Sequence, residues 1–157
     1  MRRITILLVL ILLLGAGLPA SLEGDWLLVE QHYGHGARNI LGDELPTRLS
    51  IRLGSGAPVV TIHAGDHEGL PWPAWIGPDG PVAVELLDRT VDPSSGTVTA
   101  GFTLDSPSDP GFVFHVREEY RLTAEGDALT GTMTVSFERE GEPRGSFVLT
   151  SRFERVR

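Results

Sequence analysis

The side chains with obvious chemical potential fall into a few short stretches. Of the five histidines, His32 and His35 stand in "HYGH" and His63 and His67 in "HAGDHE". In residues 63–68, two imidazoles lie close in sequence to the carboxylates of Asp66 and Glu68, a donor set suited to Zn²⁺ or Cu²⁺. His63, Asp66 and His67 are therefore the candidate metal ligands, and scattered surface histidines are the alternative. His67-Glu68 opens a metalloprotease-like pattern, but Gly69-Leu70-Pro71 breaks the helix that pattern needs. The expectation is weak or no binding of divalent metal.

Catalytic groupings are poorer still. The chain has no cysteine. Ser55 sits in "GSG" without the nucleophile elbow of a hydrolase. Glu118 and Glu119 are neighbours on one extended run and so point to opposite faces. No phosphate loop or dinucleotide fingerprint occurs. The expectation is a protein that is not an enzyme and needs no cofactor. Glu118 still stands out, because it falls in phase with Val116 and Tyr120 on an apolar face. Either it is buried against an inward cation, with Arg155 a candidate, or a bulge turns it outward.

"LPWPAWIG" (70–77) sets Trp72 and Trp75 in a Pro-rich loop. Two indoles there are more apolar than a solvated loop needs. They form either a lid over a cavity or a plug within it.

The elements that must position these groups are short. Gly and Pro punctuate the chain, and runs rich in Val, Ile, Thr, Phe and Leu lie between them, the pattern of an all-β domain. About eight strands are expected, near 24–33, 47–53, 58–64, 82–91, 96–104, 112–123, 128–138 and 145–156. The later runs alternate clearly. Phe112, Phe114, Val116 and Tyr120 share one face, as do Leu129, Met133, Val135 and Phe137, and then Phe147, Leu149 and Phe153. A dry face opposite a wet one is what an antiparallel sheet closed around a core requires. "DPSSG" (92–96), "AEGDA" (124–128) and "REGEPRG" (139–145) read as hairpin links. Residues 34–46 and 64–81 read as long loops of the kind that often carry function.

Arg2 and Arg3, the aliphatic run Ile4 to Leu14, and Leu18-Pro19-Ala20 have the order of a secretory signal peptide. The apolar run is shorter than the roughly 20 residues of a bilayer-spanning helix. The expectation is export to the periplasm or the exterior, with residues 21–157 as one domain and no stable membrane insertion after cleavage. An uncleaved anchor is the alternative. All 13 basic residues are Arg, against 21 acids, for a formal charge of -8. Such a balance repels nucleic acid.

Gly24-Asp25-Trp26, preceded by Leu22, stands at the head of the first strand. This Gly-x-Trp resembles the opening motif of the lipocalins and of the bacterial lipocalin-like families. The C-terminal "TSRFERVR" resembles their last strand. The Thr-Asp-Tyr motif of lipocalins is absent. The resemblance implies an antiparallel up-and-down β-barrel of about eight strands. It also implies that a late Arg packs across Trp26 and closes one end. Arg155, in phase with Phe147, Leu149 and Phe153, is preferred to Arg152. Gly24, Trp26 and Arg155 are then structural. A small apolar or amphipathic ligand would sit among Phe102, Phe114, Val116, Met133 and Phe147, with Trp72 and Trp75 at the mouth. A ligand-free structural or interaction module of the cell envelope is the alternative.

Overall fold

The computed structural model describes residues 21–35, 37 and 46–157. The expected signal peptide and most of the 34–46 link lie outside the described residues. The rest is all-β. Nine strands form one curled antiparallel sheet in the order β4-β3-β2-β1-β11-β10-β9-β8-β7. In chain order its strands are β1 (Gly24–Tyr33), β2 (Pro46–Arg52), β3 (Val59–Ala64), β4 (His67–Pro71), β7 (Glu85–Asp92), β8 (Thr97–Asp105), β9 (Phe112–Leu122), β10 (Ala128–Arg139) and β11 (Glu142–Arg155). A small hairpin, β5 (Trp75–Gly77) with β6 (Gly80–Val82), stands apart from it. Each of the eight expected strands is present.

The loop expected over 64–81 is instead mostly strand. Its first part pairs with β3, with Thr61 opposite Pro71 and Ile62 opposite Leu70. β4 is an edge strand, where the missing N–H of Pro71 breaks no interior ladder. The link expected over 139–145 also shrinks. β10 and β11 continue until only Glu140 and Gly141 remain between them, with φ of 54° and 80°. Two positive φ values make a type I′ turn, whose twist matches that of the strands it joins.

The first strand bridges the two halves of the sheet. It pairs with β2 (Trp26 opposite Leu49) and with β11 (Trp26 opposite Arg155). The alternating faces build two apolar clusters. One holds Leu22, Trp26, Ile51, Trp72, Tyr120 and Phe153. The other holds Trp75, Phe102, Phe114, Val116, Met133 and Phe147. That strands far apart in the sheet order, such as β2 and β8, supply one cluster shows the curl directly.

The edges of the sheet are β4 and β7. β7 is exposed along most of its length, and a register shift between Leu86 and Asp88 leaves Leu87 62% exposed. From this edge Arg89 reaches over Trp72, 5.7 Å from the ring centroid, and its Nη2 donates to the Pro58 carbonyl at 3.2 Å. Side chains, rather than a backbone ladder, make this contact between the β7 edge and the segments around β3 and β4.

Candidate functional site

At one end of the sheet lies the grouping around Trp26. The indole is fully buried, and its Nε1 donates to the Leu22 carbonyl at 3.1 Å. It is Arg155, not Arg152, that lies over the ring, with its guanidinium carbon 4.2 Å from the centroid. The same guanidinium donates to the carbonyls of Ser21 and Glu23, and to that of Gly126 at 3.4 Å. One side chain thereby ties together the start of β1, the β9–β10 turn and the end of β11. A Cβ on Gly24 would stand 2.6 Å from Arg155 Nη1, and the φ of +151° there also suits glycine. The Gly-x-Trp spacing thus has a steric cause. This grouping is saturated by its own contacts and presents no site.

The interior holds one charged residue among the described ones. Glu118, 1% exposed, points inward from β9 between Val116 and Tyr120. β9 keeps regular register with β10 there, so no bulge turns Glu118 outward. Its partner is not Arg155 but Trp72, whose Nε1 donates to Oε2. Burial pushes the Glu118 carboxyl up to about 7, and the indole hydrogen bond acts in the opposite sense. Tyr120 is raised well above the usual phenol range, first by burial and then by the nearby Glu118 charge.

Glu118 also marks a boundary. Its β8 partner Ala100 and its neighbour Tyr120 belong to the cluster of Trp26, whereas its β10 partner Met133 and its neighbour Val116 belong to the other. Tyr120 and Met133 are walls of a pocket of about 10 Å³ that Gln31, Leu149, Ser151 and Phe153 help to line. That volume suits about one water. Gly131 makes room beside it, since a Cβ there would lie 2.3 Å from Ser151 Oγ and 2.9 Å from the Tyr120 ring.

Both loop tryptophans are inside. Trp72 is 1% exposed and meets Tyr120 edge-on at 6.1 Å. Trp75 is 6% exposed and stacks on Phe114 at 5.7 Å. Phe102, Phe114, Val116, Met133 and Phe147, expected to line a cavity, are all buried in the cluster with Trp75. The structure therefore brings Trp75 together with the five lining residues and assigns Trp72 to the carboxyl.

The histidine-rich stretch looks different. His63 lies on β3, Asp66 in the β3–β4 turn and His67 at the start of β4. Among the described residues no group of three or more His, Cys, Asp or Glu is placed to hold a metal ion. His32 pairs instead with Glu30 at 2.8 Å, and His115 with Glu138 at 3.5 Å, both at the surface. Among the described residues no helix is long and apolar enough to cross a membrane.

Sequence reasoning singled out Glu118 but missed its partner. The donor comes from a segment 46 residues away. No short-range pattern announces such a pair. No protein-family model, curated protein or solved structure matches the chain.

Proposed function

We propose that this chain is an exported, non-catalytic, lipocalin-like β-barrel that takes up a small apolar or amphipathic molecule. The carrying observation is the origin of the side chains that fill the interior at the β4 edge. Trp72 follows the last residue of β4 and Trp75 opens a hairpin outside the nine-stranded sheet. Indoles supplied from such a segment can be displaced without breaking the main ladder. A ligand that takes their place meets an apolar wall of Phe102, Phe114, Val116, Met133 and Phe147. Concave apolar interiors with few polar groups are the common form of small-molecule sites. The Arg155–Trp26 closure, with Gly24 beneath it, supports the lipocalin-like reading, as does the approach of Arg89 to Pro58 for closure into a barrel. The Arg-flanked aliphatic leader supports export.

A second reading has its own support. The stack of Trp75 on Phe114 and the Trp72–Glu118 hydrogen bond suit a permanent plug in a ligand-free module of the cell envelope. Tryptophan fluorescence separates the two. Under the binding reading, a panel of long-chain probes gives a saturable change that W75F or W72F alters and W26F does not. A flat titration across the panel, with W72A and W75A both strongly destabilised, overturns the binding reading.

A further inference from the structure

Glu118 is the one charged side chain buried among the described residues. A carboxylate can accept about four hydrogen bonds, and among the described residues a single donor, the Trp72 indole, reaches this one. The described groups around it supply no counter-charge. On β9 its inward neighbours are Val116 and Tyr120; across from it stand Ala100 on β8 and Met133 on β10. Arg89, from β7, is the nearby cation, but it lies over the Trp72 ring and donates to a backbone carbonyl. Removing a carboxylate from water without a cation is unfavourable, and an apolar residue at this position would avoid that cost. Sites that break a folding rule in this way are where function is expected.

Three further features bear on the same position. The pocket walled by Tyr120 and Met133 lies beside the residues that flank Glu118 and gives the interior a polar margin through Gln31 and Ser151. The donor that occupies the carboxyl sits at the edge of the sheet, just past β4, where its own backbone N–H donates to the Val60 carbonyl at 3.0 Å. The chain as a whole is acidic, at -8, and the field of such a molecule concentrates cations near it.

We infer that Glu118 is the headgroup anchor of the interior site and that its ligand is a long-chain primary amine or a similar cationic amphiphile. The ammonium displaces the Trp72 indole and binds the Glu118 carboxylate, and the alkyl chain lies along Met133, Val116 and Phe102. This assignment rests on the binding function proposed above. A neutral or anionic amphiphile of equal length lacks the charge that this carboxylate leaves uncompensated.

The test uses dodecylamine, dodecanol and dodecanoic acid, each below its micelle concentration, titrated into the full chain by calorimetry and by tryptophan fluorescence. High salt screens surface charge far more than a buried pair, so all titrations are repeated in it. The expected result is saturable binding with the amine preferred over the alcohol by about tenfold or more, retained in high salt. In E118Q that amine-to-alcohol ratio collapses toward unity. W72F, which removes the competing donor, raises it. Circular dichroism and thermal melts establish that each variant is folded, and E118M replaces E118Q if the amide does not fold. Binding of the alcohol or the acid without preference for the amine, or a preference that survives E118Q, overturns the amine assignment and leaves the binding function standing. Loss of the preference in high salt assigns it to the surface and likewise overturns the anchor. Failure of all three to bind the wild-type chain overturns both.

Discussion

Glu118 sets the behaviour of the molecule toward pH. Its folded-state value of about 7 lies above its ordinary 4.5. Below about pH 4.5 both states carry the proton and the group has no effect on stability. Between 4.5 and 7 the unfolded chain releases the proton while the folded chain retains it, so stability falls as pH rises, and the loss is complete above 7. The separation corresponds to about 3 kcal/mol. Urea unfolding across this window should show the decline in wild type and remove most of it in E118Q, which is then the more stable protein at about pH 8. A wild-type profile without the decline would show that the carboxyl is hydrated rather than buried. The surface carboxylates behave in the opposite sense. Asp92 is held near 2 by Ser94 and Ser95, and Asp25 is lowered first by its hydrogen bond from Ser50. Trp26 has no such pH role. Truncation of this buried ring in W26A should cost about 3–5 kcal/mol, read by chemical denaturation. At Gly131 the conflict is added volume. G131A forces a methyl against Tyr120 and Ser151 and should cost about 1–3 kcal/mol by the same measurement.

At the scale of elements, the difference between what the sequence announces and what it conceals has a physical basis. β9 and β10 were legible because each buries one face along nearly its whole length, and β11 because it does so from Phe147 onward, so the period of two is written into Phe114, Val116 and Tyr120, Met133 and Val135, or Phe147 and Leu149. β4 was not. Its residues His67, Glu68, Gly69, Leu70 and Pro71 show no alternation and carry no β-branched side chain, and only pairing with β3 makes them a strand. The ends of β10 and β11 hid for a related reason. Residues 142–146 are all exposed, so no burial pattern marks them, and Pro143 reads as a loop. In the candidate site, the inward phase of Glu118 could be read from its own strand, whereas the Trp72 contact depends on how a remote segment folds over. The β3–β4 hairpin also carries His63, Asp66 and His67, but among the described residues they form no group of three placed to hold a metal ion. Calorimetric titration of the metal-free chain with Zn²⁺ should therefore give no stoichiometric sub-micromolar binding. Tight binding abolished by H63A and H67A would restore the metal site.

At the scale of the whole molecule, the sheet has a gradient of pairing. The central strands β9, β10 and β11 each have a neighbour on both sides, and β4 and β7 have one. Amide hydrogen exchange should be slowest along β10 and fastest along β4 and the Leu86–Leu87 stretch of β7. Arg89 is exposed, so R89A should alter global stability by less than about 1 kcal/mol while accelerating exchange in β4 and around Trp72. Equal exchange in R89A and wild type would show that this arginine does not hold the edge. The contact made by Arg89 acts as the clasp of a bracelet whose links are the nine strands. A bracelet of fixed length opens only at its clasp, and parting this edge severs the Arg89 contacts and the Trp72 and Trp75 packing beside them while every rung of the nine-stranded ladder stays intact. Compliance is thereby concentrated along the line between β4 and β7, where no backbone rung among the described residues joins the two edges of the curled sheet, while the rest of the sheet stays tied by its ladder.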